Sequence, residues 1–387
     1  MRISVFRAGI HAAVFALSVY TGCGFAQTAP EVDSSSRFRD PVDNQFDIGS
    51  FLEKPRHFLP VPVVITEPAV GFGGGIFGLF LQPRRDAGKE GWARPNMSTL
   101  GLAATENGTQ LGLAADSRRW LDGRLRTLAG LGAGKINLDF YGAAVDLPTP
   151  AQKLGYSLEF TGAVMQVNWQ LAADSPWIVG MRYVYADVDP TLRDQPSSPQ
   201  ATDRTRVRVS APTAVLEFDT RDNIFTPTRG IYTETSYLVS RETLGSSDDF
   251  ERFGQIVLAW RRLPHAVTLG ARLDYAWSSE GTPFFMLPYI PMRGVAAMRY
   301  QGDQMAALEL EARWQFKGRW SLVAFGGAGG TQTDRSSISN SQGVGSGGVG
   351  FRYELARKFG LHAGVDVAAS PGEQALYLQV GSAWFRP

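Results

Sequence analysis

Four histidines are the first residues to weigh for chemistry. His11, His57, His265 and His362 are scattered, and none has a Ser or Asp at a spacing that would form a nucleophilic pair. His362 falls on the inward face of an alternating segment, but a lone imidazole meets none of the geometric roles a catalytic site requires. No cluster of His and Cys has metal-ligand spacing. Cys23 is the single cysteine, so no intramolecular disulfide can form. Gly71-Phe72-Gly73-Gly74-Gly75 opens a strand rather than a helix, so it is no phosphate loop. It reads as a first strand weakened by its glycines, or as a bend. The expectation is therefore no enzyme, no cofactor and no metal. What remains is a set of charges on one face of alternating segments: Glu309, Glu311, Arg313, Arg352, Glu354 and Asp366. Such charges need partners wherever they are crowded away from water.

The elements that carry them are strands. From Met305 to Phe316 one face holds Met305, Ala307, Glu309, Glu311, Arg313 and Gln315. The other holds Ala306, Leu308, Leu310, Ala312, Trp314 and Phe316. A sandwich strand and a barrel strand would both read this way. The connections discriminate better. Strands are expected near 70–82, 97–106, 109–118, 123–135, 137–145, 155–172, 176–188, 205–219, 231–241, 250–262, 266–277, 304–316, 319–330, 344–355, 359–369 and 374–385. Tight turns at Glu106-Asn107-Gly108, Ala173-Asp174-Ser175, Leu263-Pro264-His265 and Lys317-Gly318 alternate with longer gaps at Pro83–Pro95, Asp189–Arg204, Ser278–Asp303 and Thr331–Gly343. Asp219–Gly230 is the exception, a long connection on the short side. Short turns at one end and long loops at the other are the asymmetry of outer-membrane barrels. In this arrangement Trp169, Trp177, Trp260, Trp314, Trp320 and Trp384 fall at the periplasmic strand ends, as a girdle. Leu376, Leu378, Val380 and Trp384 would form the lipid face of the last strand.

Composition is consistent with this. Formal net charge is +1, glycine numbers 43, aromatics are 11%, and nothing points to nucleic acid. A chain without long apolar runs can span a bilayer only as a closed barrel, with alternate residues apolar. Arg2 and Arg7, the short apolar stretch Ala8–Tyr20 and Gly24-Phe25-Ala26 read as a signal peptide, 1–26, cleaved after Ala26. Acylation at Cys23 is the minor alternative. Residues 27–60 read as a polar periplasmic leader or plug, and 61–387 as the barrel.

Three segments carry a resemblance. They are Phe58–Gly75 (FLPVPVVITEPAVGFGGG), Asp219–Tyr232 (DTRDNIFTPTRGIY), and Met292-Arg293-Gly294 followed by Arg299-Tyr-Gln-Gly-Asp and Leu308-Glu-Leu-Glu-Ala-Arg. Together with the Gly348–Trp384 pattern they resemble the bacterial surface antigen superfamily, the barrel family of BamA, TamA and two-partner secretion translocases. The resemblance covers roughly 58–385 and rests on the combination of motifs. It implies an all-β, sixteen-stranded antiparallel transmembrane β-barrel with an inward-folded loop. By position that loop is Ser278–Asp303. Arg293, beside Gly294, would meet acidic residues of the wall, with Glu309, Glu311 and Asp366 as the candidates. Asp219, Arg221, Asp222, Phe225, Pro227 and Gly230 would form the family's turn motif. Two departures stand out. Only some 30 residues precede the barrel, too few for one periplasmic repeat domain. Phe325 is followed by Gly326 where the family often has Asp. The implied function is handling a polypeptide or lipid across or into the outer membrane, with a separately encoded periplasmic partner or a secreted client. The alternative is a passive channel or structural surface antigen. Outer-membrane lipid is the expected surround.

Overall fold

The computed structural model describes residues 38–53, 58–82, 96–141, 153–193, 206–335 and 338–386. The expected signal peptide, Cys23, His11, His57 and most of Asp189–Arg204 lie outside them. Sixteen antiparallel strands follow one another in a single sheet. They are β1 (Leu59–Ile65), β2 (Gly73–Gln82), β3 (Asn96–Thr105), β4 (Gln110–Trp120), β5 (Leu125–Tyr141), β6 (Lys153–Gln170), β7 (Trp177–Leu192) and β8 (Val207–Asp219). Then come β9 (Gly230–Ser240), β10 (Phe250–Leu263), β11 (Val267–Ser278), β12 (Gln304–Lys317), β13 (Trp320–Arg335), β14 (Ile338–Ala356), β15 (Leu361–Ser370) and β16 (Glu373–Val380). Among the described residues β1 and β16 share no ladder, so the wall has a seam.

Sixteen strands were expected, but two assignments change. The strands expected at 123–135 and 137–145 merge into one, β5, over the described residues Leu125–Tyr141. No proline or positive-φ residue interrupts it, and alternation runs straight through, with Ile136 and Leu138 buried and Lys135 outside. The extra strand is β1, which starts at the end of the expected leader and precedes the first expected strand at 70–82. Its Pro60 and Pro62 read against a central strand, but an edge strand tolerates them. Gly73–Gly75 accordingly opens the second strand, not the first.

These two changes reverse the direction of the early hairpins. Gln110 pairs with Lys135 and Trp120 with Leu125. The Glu106-Asn107-Gly108 turn therefore sits beside Asn137, where Asn107 Nδ2 donates to the Asn137 carbonyl at 2.9 Å and Asn137 Nδ2 donates back at 2.7 Å. That is the end of the barrel that carries Asp189–Arg204, not the opposite one. Asn-Gly chemistry makes a hairpin equally well at either end, so only the strand count could place it.

The outer face is apolar. Leu308, Leu310, Trp314 and Phe316 of β12, Leu100 and Leu102 of β3, and Met165 and Val167 of β6 all stand exposed. At roughly 25 cal/mol per Å² such a surface is costly in water and at home in lipid. Among the described residues no helix is long and apolar enough to cross a membrane. The girdle needs correction. Trp169, Trp177, Trp314 and Trp320 are 36–48% exposed on the outside, and Trp120 joins them once its strand is reversed. Trp260 and Trp384, at 7% and 4%, lie inside against each other. Val380 is buried too, and β16 stops there: Gly381 takes φ +78° and turns the chain into the lumen. The last strand is thus shorter than 374–385.

Candidate functional site

The connection from β11 to β12 folds inward. Phe285, Met286 and Met298 pack on Ile136, Leu138, Tyr156, Val188, Val209 and Phe250 of the inner wall. Ile290, Met292 and Val295 pack on Met305, Ala307 and Val344. Leu287 is fully buried. The loop thus sets an apolar plug into the extracellular half of the lumen, and its packing against apolar patches of the inner wall fixes its course.

Arg293 lies at the plug's inner end. Its guanidinium sits 2.7 Å from Glu309, 2.8 Å from Glu311 and 2.9 Å from Asp366. Its backbone N–H also donates to Glu309 at 3.0 Å. The register explains the cluster: Glu309 and Glu311 are two apart on one face of β12, and Asp366 reaches in from β15. The ring of Phe325 lies 3.5 Å from the guanidinium carbon, a cation–π contact. Gly326 therefore leaves no gap, because the neighbouring strands supply the carboxylates and Phe325 supplies the stacking face. Arg352 binds the same Asp366 through two bonds, at 2.6 and 2.8 Å. Gly294 has φ +84°, and a Cβ there would meet the Ala369 nitrogen at 3.1 Å. Its N–H donates to the Tyr377 hydroxyl at 3.0 Å, and its carbonyl accepts from Ser370. Ala296 and Ala297 donate to Glu373 and Glu67. The plug is thereby tied to β16 and to the connection that follows β1.

Glu309 has a further partner that sequence reasoning missed. Trp384 Nε1 donates to it at 2.8 Å. The tail that delivers Trp384 is held by the turn after β8. Phe225 accepts from the Ser382 N–H at 2.5 Å and stacks on Phe385 at 6.0 Å. Arg221 donates to the Arg386 carbonyl at 2.9 Å while Asp219 grips its guanidinium from the other side. Asp222 receives the Thr228 and Arg229 N–H groups. The Pro227 carbonyl accepts from Arg313 at 3.2 Å. At Gly230, φ +105°, a Cβ would lie 2.3 Å from the Thr220 carbonyl oxygen, so glycine is required. The hint in the sequence is Ser382, which interrupts the apolar face of Leu376, Leu378, Val380 and Trp384 next to Gly381.

His362 stands apart from this cluster, with Nδ1 against the Gly360 carbonyl. Glu354 lies at the periplasmic rim, near Arg357. That rim carries a second unexpected cluster. Arg319, fully buried beside the tight turn at Gly318, contacts Asp40 and Asp47 at 2.6 Å and Asp43 at 2.7 Å. Ile48 and Leu52 of the leader pack on Ala356, Phe359 and Leu361. Bonding from Arg319 holds the Asp43 carboxyl down from 3.8 to about 2. The three aspartates belong to the expected polar leader, and their partner lies 272 to 279 residues away in sequence, beyond any local signal.

No protein-family profile matches the chain, and neither does any curated protein. Solved structures do. The chain is similar to BamA from Haemophilus ducreyi lacking POTRA domains 1–3, at 11% identity and TM-score 0.58, over 98% of this chain and 77% of that one. It is also similar to CdiB from Escherichia coli, at 10% identity and TM-score 0.57, over 85% of this chain and 60% of that one. CdiB from Acinetobacter baumannii follows at 9% and 0.53, over 84% and 59%. The chain thus spans under two thirds of the CdiB proteins it matches. At these identities the likeness is one of fold, and that fold is the sixteen-stranded barrel of bacterial outer membranes.

Proposed function

We propose that this protein is an outer-membrane barrel that moves or inserts a polypeptide or a lipid, rather than a passive pore. One contrast supports the reading. A porin has a sealed wall and an open lumen. Here an anchored plug occupies the lumen and, among the described residues, no ladder joins β1 to β16. Material handled by such a barrel has a route through the wall or past a displaced plug, and small solutes have little route at all. Arg293 with Glu309, Glu311 and Asp366 would hold the plug. The turn motif Asp219–Gly230 would hold the tail that braces it. The surrounding lipid is one partner. A separately encoded periplasmic protein or a secreted client is the other.

The test compares cells with and without the gene, by surface proteome and outer-membrane lipid composition. The reading predicts depletion of a polypeptide or lipid at the cell surface, restored by the wild-type chain and not by Arg293→Ala. An unchanged surface with altered uptake of small solutes would favour the passive channel instead.

A further inference from the structure

On the outer face of β5 to β8, an aromatic row at the periplasmic end is answered by a charged row at the other. Trp169 and Glu159 lie ten residues apart on β6, Trp177 and Asp187 on β7, and Phe218 and Arg208 on β8. Lys135 of β5 pairs with Glu159, and Asp189 follows Asp187 on the same face of β7. At roughly 3.3 Å per residue and a tilt of about 40°, ten residues climb about 25 Å, the height of a barrel's apolar band. With Trp169 and Trp177 at the periplasmic interface, the charged row stands where the headgroups of the outer leaflet begin. The opposite flank differs. Ten residues from Trp314 on β12 stands Gln304, paired with Gln332 of β13, and neither carries charge.

These charges only partly neutralise one another. Arg206 and Arg208 share Asp187, at 4.0 and 3.3 Å, and the Tyr185 hydroxyl donates to the same carboxylate. Lys135 lies 3.4 Å from Glu159. The three cations remain 45–69% exposed, and such open pairs add little to the stability of a fold. Beside them the wall is hollow. A cavity of about 960 Å³ joins Lys135, Glu159, Asp187 and Arg206 to a floor that includes Ala104, Gly112 and Ala133. The floor is low because those positions carry glycine or alanine, while Ile76 and Leu102 project beside it. A groove with a charged rim and an apolar floor has the lining of a site for an amphiphile.

We infer that this face of β5 to β8 binds a phosphorylated, acylated saccharide of the outer leaflet, the chemistry of lipid A. Its phosphates meet Lys135, Arg206 and Arg208 through charge-assisted hydrogen bonds. Its sugar hydroxyls donate to Glu159, Asp187 and Asp189, so a row of mixed sign suits it better than it suits a simple anionic lipid. An acyl chain lies in the hollow over Gly112 and Ala133. The site continues the lipid-facing wall described above. The inference requires only that the barrel sits in an outer membrane, and it is independent of the transport reading.

The probe is bisphosphorylated lipid A, mixed as a minor component into phosphatidylcholine nanodiscs that hold the purified protein. Native mass spectrometry counts the lipid A retained per barrel after detergent exchange. The wild type should retain it. Lys135→Gln combined with Arg206→Gln and Arg208→Gln should lower retention about tenfold or more, the loss of at least one charge-assisted hydrogen bond. Ala133→Phe, which fills the hollow without touching a charge, should lower it too. Arg241→Gln removes a cation of the same rim just past β9 and should leave retention unchanged. Dephosphorylated lipid A and phosphatidylglycerol should each be retained less than the bisphosphorylated form. Retention indifferent to the three cations, or equal for phosphatidylglycerol, would overturn the assignment. So would a dimer cross-linked through this face, because a second copy would then be the occupant. An unchanged cell surface on gene deletion, with lipid A retention intact, would contradict only the transport reading.

Discussion

Arg293 is the residue on which the site turns. Its three carboxylates are nearly or fully shielded from water, and removing the cation from such a cluster strips Glu309 and Glu311 of the guanidinium they bond to. Arg293→Ala should cost about 3–5 kcal/mol of barrel stability, read as a lower transition in heat-modified gel mobility. Arg299→Ala should cost less, because its 2.6 Å pair with Glu373 is partly open to solvent. Arg352 still neutralises part of Asp366, so Asp366→Asn should be milder than Glu309→Gln, whose single oxygen cannot accept from both the Arg293 backbone N–H on one side and the Trp384 indole and guanidinium on the other. At the periplasmic rim the relevant variable is pH. The Asp43 carboxyl is depressed in the folded state, so its contribution to leader docking is present above the ordinary value of 3.8. That contribution is lost as pH falls through about 2. Amide exchange across Phe38–Glu53 should stay slow at pH 5 and speed up between pH 4 and 2, and Arg319→Ala should make it fast throughout. Exchange indifferent to pH and to Arg319 would refute the rim cluster.

Elements set which side chains face which solvent, and they were mostly legible. Glu309, Glu311 and Leu310 could be placed because strict alternation over Met305–Phe316 leaves one register. Leu310→Arg should destabilise by roughly 2–4 kcal/mol at mid-membrane, whereas Gln315→Arg, on the inner face, should be mild. Equal effects would mean the faces are misassigned. Alternation says nothing of where a strand ends, however. The expected strands break at Ile136, inside β5, and none is expected ahead of residue 70, where β1 lies. Both errors are local, yet together they inverted three hairpins. A tag after Asn107 should therefore be labelled on intact cells, like one in Asp189–Arg204, and a tag after Asp174 should not. Labelling only after permeabilisation at Asn107 would restore the opposite topology. The C-terminal turn was illegible for another reason. Trp384 alternates correctly for a lipid face, and only the Gly381 backbone conformation and its long-range partners send it inward.

On the scale of the whole molecule, plug, wall and tail form one connected network. The plug reaches the wall through Arg293, the wall reaches the tail through Glu309 and Trp384, and the tail reaches the periplasmic turn through Phe225 and Arg221. Contacts separated by more than 70 residues in sequence carry most of these links, which is why the sequence suggested the parts but not their connection. The central claim is that this network keeps the lumen shut. Single-channel recording of the purified barrel in a planar bilayer tests it directly. The wild-type protein should show little steady conductance, and Arg293→Ala should show frequent, large openings as the plug loses its anchor. A steady porin-like current in the wild type, unaltered by Arg293→Ala, would contradict it.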